Sequence, residues 1–148
     1  MNHIDTSFVG MRFPELVAEI DKTMITRFAQ AIGETDPIYI DEHAARAAGH
    51  PDLPAPPTFL FTAELESGVK MAWMNEAGIE LGKVLHGEQS FTPHRLLYAG
   101  DTVSLTAQIT DIYDKKNGAL EFVVIDSAAR NQHDELVATV RGVIVVRH

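Results

Sequence analysis

The first half of the chain has apolar positions that repeat with the period of an α-helix. Between Thr23 and Gly33 they recur at i, i+3, i+4 and i+7. These positions are Ile25, Phe28, Ala29 and Ile32. Thr23 is a suitable amino-terminal cap and Gly33 a suitable stop, so the pattern predicts a short amphipathic helix over residues 23–33.

Two further helices are predicted before residue 79. The segment DEHAARAAG has Asp41 as a cap, an alanine-rich body and Gly49 as a terminator. The prolines of HPDLPAPP then exclude regular structure. We expect Pro57 to open a longer helix through TFLFTAELESGVKMAWMNEAG, because proline is favoured at the first helical position. This helix is apolar over most of its circumference, so we expect it to be buried, and Gly68 within it costs up to about 1 kcal/mol relative to alanine.

After Gly82 the apolar period changes from 3.6 to 2, which is typical of β-strands. In TVSLTAQIT every second residue is apolar, which gives one apolar and one polar face. The other predicted strands lie in KVLHGEQSFTPHRLL, in LEFVVI and between Leu136 and Arg147. Asn117 and Gly118 predict a hairpin turn. Helices followed by an antiparallel meander predict an α+β fold in which the sheet wraps around the central apolar helix.

Composition narrows the class of protein and of partner. The 148 residues fit one domain spanning 1–148, and 45% of them are hydrophobic against 22% charged, which is enough for a core. No apolar run approaches the roughly 20 residues of a membrane span, and the amino terminus lacks the order of a signal peptide, so we expect a cytoplasmic protein with no membrane partner. A net charge of −9 argues against nucleic acid as a partner. The absence of cysteine excludes disulfides, a thiol nucleophile and thiolate metal ligands.

Three motifs spread over nearly the whole chain resemble the amino-terminal MaoC-like dehydratase domain, of the hydroxyacyl-ACP dehydratase subunit or FAS1-like dehydratase type. They are FAQAIGETDPIYIDEHAARAAG, LPAPPTF and LHGEQSFTPHRLLYAGDTV. The resemblance implies a hot-dog fold, usually a dimer, that acts on acyl chains carried as thioesters by CoA or an acyl carrier protein (ACP). It also implies the reversible addition of water to a trans-2-enoyl thioester, which gives the (R)-3-hydroxyacyl form. No cofactor is expected.

The segment GETDPIYID departs from that family. Active members carry Gly-Asp-x-Asn-Pro-(Ile/Leu)-His, in which the Asp and His act on the water and the substrate carbon. This chain has Glu34, Asp36 and Tyr39 at the Asp, Asn and His positions. Glu34 can still be a general base, although its longer side chain moves the carboxylate, and Tyr39 is a poor base at pH 7 that can donate a hydrogen bond or a proton. The alternative is that these residues shape a turn, with Pro37 fixing one backbone angle.

A second candidate site lies in LHGEQSF. His86 and Glu88 are two residues apart on a predicted strand, so we expect both side chains on one face, where they could share proton transfer. Gly87 between them would let a ligand approach the backbone closely. The alternative is a histidine hydrogen-bonded within a sheet. Arg95 is expected to anchor a carboxylate or the loop around YAGD.

The third candidate is the start of the central helix. If Pro57 opens that helix, the free N–H groups near Thr58 and Phe59 form a small site for the oxygen of a thioester. Active relatives have a His-Gly-Met-type loop here, where this chain has Pro-Pro-Thr. The alternative is simple helix capping.

Other polar and aromatic residues are predicted to be structural. His43 and His50 find no third ligand at a suitable spacing, so we expect no metal. The histidines at positions 3, 133 and 148 are interpreted as turn or terminal residues. Glu64 and Glu66 on the central helix are expected to face solvent or an interface. The aromatic residues expected in the core are Phe59, Phe61 and Trp73.

Three functions remain as hypotheses. The first is an (R)-specific 2-enoyl-CoA hydratase or (3R)-hydroxyacyl-thioester dehydratase, a hydro-lyase of fatty acid metabolism, in which His86 and Glu34 transfer protons. Supporting roles are assigned to Asp36, Tyr39, Glu88, Thr58 and Phe59. The second is a non-catalytic, substrate-binding subunit that pairs with a catalytic MaoC-like chain in a heterodimer, whereas the first hypothesis favours a homodimer. The third is a hot-dog acyl-CoA thioesterase, in which an acid on the helix or strand activates water.

Overall fold

The computed structural model describes residues 3–148. Within this range, four α-helices and five β-strands follow one another in chain order. They are β1 (Leu16–Glu19), α1 (Lys22–Ala31), α2 (Glu42–Ala47), α3 (Leu60–Ser67), α4 (Val69–Glu76), β2 (Val84–Pro93), β3 (Thr102–Lys115), β4 (Leu120–Asn131) and β5 (Leu136–Arg147). Helices precede the long strands, as the change of period predicts.

The five strands form one antiparallel sheet in the order β1-β3-β4-β5-β2. The predicted α+β architecture is therefore confirmed, and the hairpin turn between β3 and β4 contains Asn117 and Gly118, both at positive φ. Strand β1 is missing from the prediction because its four residues are too few for alternation to stand out. Strands β1 and β2 form the two edges, and β2 is the longer of them.

Capping residues determine where the two short helices α1 and α2 begin. Helix α1 begins one residue earlier than predicted, because the carboxylate of Asp21 caps it by accepting the N–H of Met24 at 3.0 Å. The prediction of Thr23 as the cap is wrong, whereas Gly33 does follow the helix, at a φ of 74°. Helix α2 is capped by Asp41, as predicted.

The predicted single central helix is wrong at its start and in its middle. Residues 56–62 make tight i→i+3 turns, in which the N–H of Phe59 donates to the carbonyl of Pro56, so regular helix begins only at Leu60 and not at Pro57. Gly68 adopts the left-handed conformation, with φ 66° and ψ 0°, and divides the segment into α3 and α4. Glycine is the residue that takes this conformation without a Cβ penalty.

The core lies between these helices and one face of the sheet. Phe59 and Trp73 are buried, as predicted, and the edges of Phe8 and Phe13 pack against the Trp73 ring at centroid distances of 5.7 and 5.8 Å. Phe61 is only half-buried and lines a groove instead. Within residues 3–148, no helix is long and apolar enough to span a bilayer.

Candidate functional site

The loop after α1 carries the two carboxylates and the phenol predicted to act in catalysis. One oxygen of Glu34 accepts the backbone N–H groups of Thr35 and Asp36, at 2.9 and 3.0 Å. One oxygen of Asp36 accepts the N–H of Ile38 at 3.1 Å and caps a 3-10 turn over Pro37–Tyr39. The proposed turn-shaping role is therefore real. Each carboxylate keeps its second oxygen outside these bonds.

Tyr39 lies half-buried beside these two acids. Burial raises the pKa of its phenol above the ordinary value near 10, and the negative charges of Glu34 and Asp36 raise it further. The phenol is consequently neutral at pH 7. It can donate a hydrogen bond or a proton there, but it is a poor acceptor of a proton at this pH.

Strand β2 does not place His86 and Glu88 on one face. A β-bulge lies between them, because His86 pairs with Ile144 and Glu88 with Val143, leaving Gly87 as an extra residue. His86 faces the helices, where its ring lies 5.4 Å from that of Phe61. The expectation of a shared face is wrong, since one inserted residue reverses the alternation of a strand.

Glu88 lies on the opposite face of the sheet, near Arg141. The pKa of Arg141 is raised, first by its hydrogen bonds to Asp126 and to a smaller extent by the charge of Glu88. A Cβ atom on Gly87 would lie 2.6 Å from a methyl carbon of Val145. The close approach expected at this glycine is thus made by strand β5 rather than by a ligand.

His86 contributes to an apolar groove between α3, α4 and the β2–β5 edge of the sheet. The groove has a volume of about 170 Å³. Among its other lining residues are Phe61, Leu65, Met71, Gln89 and Ile144. The Nε2 atom of His86 lies 3.0 Å from Oε1 of Gln89. The Nε2 donor of Gln89 is buried and has no hydrogen-bond partner among the described residues.

Glu64 lines the same groove and is buried, so the expectation that it faces solvent or an interface is wrong. Its two oxygens accept the hydroxyl of Ser127 at 2.6 Å and the ammonium group of Lys70 at 2.9 Å. Lys70 is six residues further along the chain, and it turns back to Glu64 after the break at Gly68. A continuous helix, as the sequence predicts, gives no signal of this pair.

The proline-rich turn forms a smaller cavity with the loop after β2. Pro57, Phe59 and Arg95 line it together. The N–H of Phe59 already bonds to Pro56, so Phe59 is not a free donor for a thioester oxygen. The N–H of Thr58 makes no backbone hydrogen bond among residues 3–148. Arg95 forms a salt bridge with the carboxylate of Glu135 at 3.3 Å.

The two residues predicted to transfer protons, Glu34 and His86, lie in different places on the chain. Glu34, Asp36 and Tyr39 lie on the loop after α1, and His86 lies in the groove. In the described part of the chain, no hydrogen bond or salt bridge links that loop to His86. Proton transfer shared by Glu34 and His86 thus has no direct support within a single chain.

Comparison with solved structures identifies the fold. A MaoC-like dehydratase matches with a TM-score of 0.82 and 21% identity, over 95% of this chain and 42% of that one. A chain of the HadBC complex of Mycobacterium tuberculosis, a 3R-hydroxyacyl-ACP dehydratase, matches with a TM-score of 0.77 and 24% identity. The match covers 93% of this chain and 96% of that one. A chain of the ChsH1–ChsH2 complex of the same organism matches with a TM-score of 0.70 and 27% identity. The match covers 93% of this chain and 89% of that one. The chain has the hot-dog fold of the MaoC-like dehydratases, as the three motifs predict.

The sequence places it more narrowly. The profile described as "FAS1-like, dehydratase domain region" matches residues 7–140, and the chain belongs to this family. A UPF0336 protein of Streptomyces griseus is 35% identical over 97% of this chain and 95% of its own. A UPF0336 protein of Leifsonia xyli is 39% identical over 90% of this chain and 87% of its own.

Proposed function

We propose that the chain is the acyl-binding subunit of a (3R)-hydroxyacyl-thioester dehydratase, which in reverse is an (R)-specific 2-enoyl-thioester hydratase. The substrate is a fatty acyl chain carried by CoA or ACP. In this role the chain holds the acyl group, and a partner chain with an intact Asp and His supplies proton transfer. The family and fold support the reaction, and the chain's own residues support the division of roles.

The loop after α1 is the observation that carries this proposal. Dehydration removes a proton from C2 and releases the C3 hydroxyl as water, so it needs a base and an acid in reach of adjacent carbons. Tyr39 replaces the imidazole with a phenol that is protonated at pH 7, and burial raises the pKa of this phenol further above its usual value near 10. Glu34 and Asp36 are both engaged in holding the turn. The frame of the catalytic loop is kept while its basic group is exchanged.

The groove beside β2 supplies what an acyl-binding subunit needs. Its volume of about 170 Å³ is below the roughly 300–1,000 Å³ of pockets that enclose whole ligands, which suits part of an acyl chain. Its walls are mostly apolar, and Gln89 lines it beside His86. Leu65, Met71 and Leu85 remain at least 40% exposed along its rim. Acyl chain and partner could both cover this surface.

The edge strand supports pairing with a second chain. Among residues 3–148, strand β2 pairs only with β5, so its other side offers unpaired backbone groups along ten residues. Two of the matched structures, HadBC and ChsH1–ChsH2, are described as complexes. We place the partner on this edge, which would bring its side chains next to the groove.

A second candidate is a homodimer that is active by itself. The free oxygen of Glu34 could act as base, His86 as a second proton-transfer group and the Thr58 N–H as a donor to the thioester oxygen. The thioesterase alternative is weaker. Glu64 is the buried acid of the groove, and Ser127 and Lys70 already occupy both of its oxygens, so it is not free to activate water.

Binding of a saturated acyl chain tests the proposal without any turnover. Octanoyl-CoA and octanoyl-ACP are each titrated into the protein by calorimetry. Met71→Trp fills the mouth of the groove, and Val17→Trp is the matched control, an exposed apolar residue on the opposite edge of the sheet. We expect saturable binding that Met71→Trp weakens about tenfold or more and Val17→Trp leaves unchanged. No binding of either thioester, or equal affinities in the two variants, would overturn the assignment of the groove.

A further inference from the structure

Two imidazoles and a carboxylate converge at a place that the proposed function does not use. His3 Nδ1 lies 3.1 Å from one oxygen of Glu121, and His148 Nε2 lies 2.5 Å from the other. One ligand atom from each of these three residues lies within 4.8 Å of the ligand atoms of the other two. The two rings are 5.6 Å apart and tilted by 58°, so both can direct a nitrogen to one point.

The backbone holds the three residues in place. The N–H of Ile4 donates to both oxygens of Glu121 at 3.1 Å, which fixes the segment that carries His3. The N–H of His148 donates to the carbonyl of Ala119 at 3.1 Å. A Cβ atom on Gly118 would lie 2.8 Å from Cε1 of His3, so the glycine of the hairpin turn makes room for the ring. The cluster thus combines His3 from the start of the described chain, Glu121 from β4 and His148 after β5.

The buried carboxylate of Glu121 is stabilised by a positive charge close to it. Glu121 is 4% exposed, and a carboxylate removed from water must be paired. Among the described residues, the groups that form its ion pairs are His3 and His148, and neither Lys nor Arg approaches it. Neutral imidazoles bring lone pairs and no charge. A cation held by all three residues would satisfy the carboxylate and both nitrogens together.

We infer that His3, Glu121 and His148 bind one divalent first-row transition metal ion of the zinc type. Two imidazole nitrogens and one carboxylate oxygen are a ligand set used for zinc, whereas Ca²⁺ and Mg²⁺ take oxygen ligands. Tetrahedral ligands at bonds of about 2.0–2.1 Å lie roughly 3.3 Å apart. The three ligand atoms already lie within 4.8 Å of one another, so binding needs them to approach by at most about 1.5 Å.

The surroundings favour entry of a cation. His3 and His148 line an open cavity of about 570 Å³, whose wall also carries Asp5, Glu76 and Glu80. Three acids against one lysine in this wall attract cations. The cavity leaves the fourth coordination position open to water. Sequence reasoning expects no metal because it searches for short spacings, whereas 118 and 27 residues separate the two histidines from Glu121.

Zinc binding to tag-free, chelator-treated protein tests this inference, with calorimetry for stoichiometry and thermal unfolding for stability. We expect one Zn²⁺ per chain and a higher unfolding midpoint with zinc. His3→Ala and Glu121→Gln should each weaken binding about tenfold or more. His3 is 55% exposed, so its variant should fold even if a change at buried Glu121 does not.

His133→Ala is the matched control, because this histidine is exposed in a turn outside the cluster. It should bind zinc like the natural chain. Absence of stoichiometric binding, or an affinity that His3→Ala and His133→Ala leave equally unchanged, would overturn the inference. In that case the cluster is a hydrogen-bonded contact that has only a structural role.

Discussion

At the scale of residues, three side chains of the loop after α1 differ from the hydratase motif that the sequence resembles. The exchange of imidazole for phenol at Tyr39 and the use of Glu34 and Asp36 as backbone acceptors are both local effects. The sequence predicts these two alternatives for the loop, catalysis or turn formation. It cannot decide between them, because the sequence shows that a carboxylate is present but not whether its oxygens accept backbone N–H groups or contact the substrate.

Tyr39 provides a test of the electrostatics of this loop. Burial and two negative charges raise the pKa of its phenol, so the folded state prefers the protonated form. This contribution to stability is present below about pH 10, the unfolded pKa, and is lost as pH rises through the folded pKa. In alkaline absorbance titrations, the natural chain should show a phenolate signal that Tyr39→Phe lacks. The midpoint of this signal should lie above pH 10. A difference with a midpoint at or below 10 would contradict the loop's geometry.

Gly87 gives a second prediction at this scale. Its missing Cβ makes room for Val145 across the bulge, at a distance of 2.6 Å that a real atom cannot occupy. Gly87→Ala should therefore lower the free energy of unfolding by about 1–3 kcal/mol, as overpacking does. Denaturant unfolding of Gly82→Ala is the control, because a Cβ there meets nothing within 4 Å. If the two variants are equally stable, the bulge is placed wrongly.

At the scale of elements, the periodicities predict the strands and the short helices, and they miss the interruptions. The bulge in β2 reverses the side of Glu88, and the left-handed Gly68 divides the central helix. Neither changes the local pattern of apolar residues, and both depend on packing against distant strands. The groove depends on both interruptions, so its polar members, Glu64, Lys70 and Gln89, could not be assigned from sequence.

Substitution of Gly68 tests the break between α3 and α4. Alanine in the left-handed region costs roughly 1–2 kcal/mol, so Gly68→Ala should be destabilised by about 1 kcal/mol. Asparagine tolerates this conformation better, and Gly68→Asn should lose less. Thermal unfolding measures the order. An alanine variant as stable as the natural chain would indicate that the helix is continuous, as the sequence alone predicts.

At the scale of the whole molecule, the three motifs predict the fold class, family and type of reaction, and the comparisons confirm the fold and family. Assembly is less accessible to sequence. An unpaired β2 edge with exposed Leu85 beside the groove calls for a partner, but any chain with a complementary edge would satisfy it. The proposal of a catalytic partner therefore rests on what the loop lacks.

Enoyl-thioester hydration by the purified chain is the most direct test of that proposal. Loss of enoyl absorbance is followed with crotonyl-CoA and a longer trans-2-enoyl-CoA, for the chain alone and mixed with a MaoC-like chain that has an intact Asp and His. We expect no turnover by the chain alone, and in the mixture a rate above that of the partner alone, chiefly with the longer substrate. Turnover by the isolated chain that Glu34→Gln or His86→Ala abolishes would contradict the account and show that its own residues perform the chemistry.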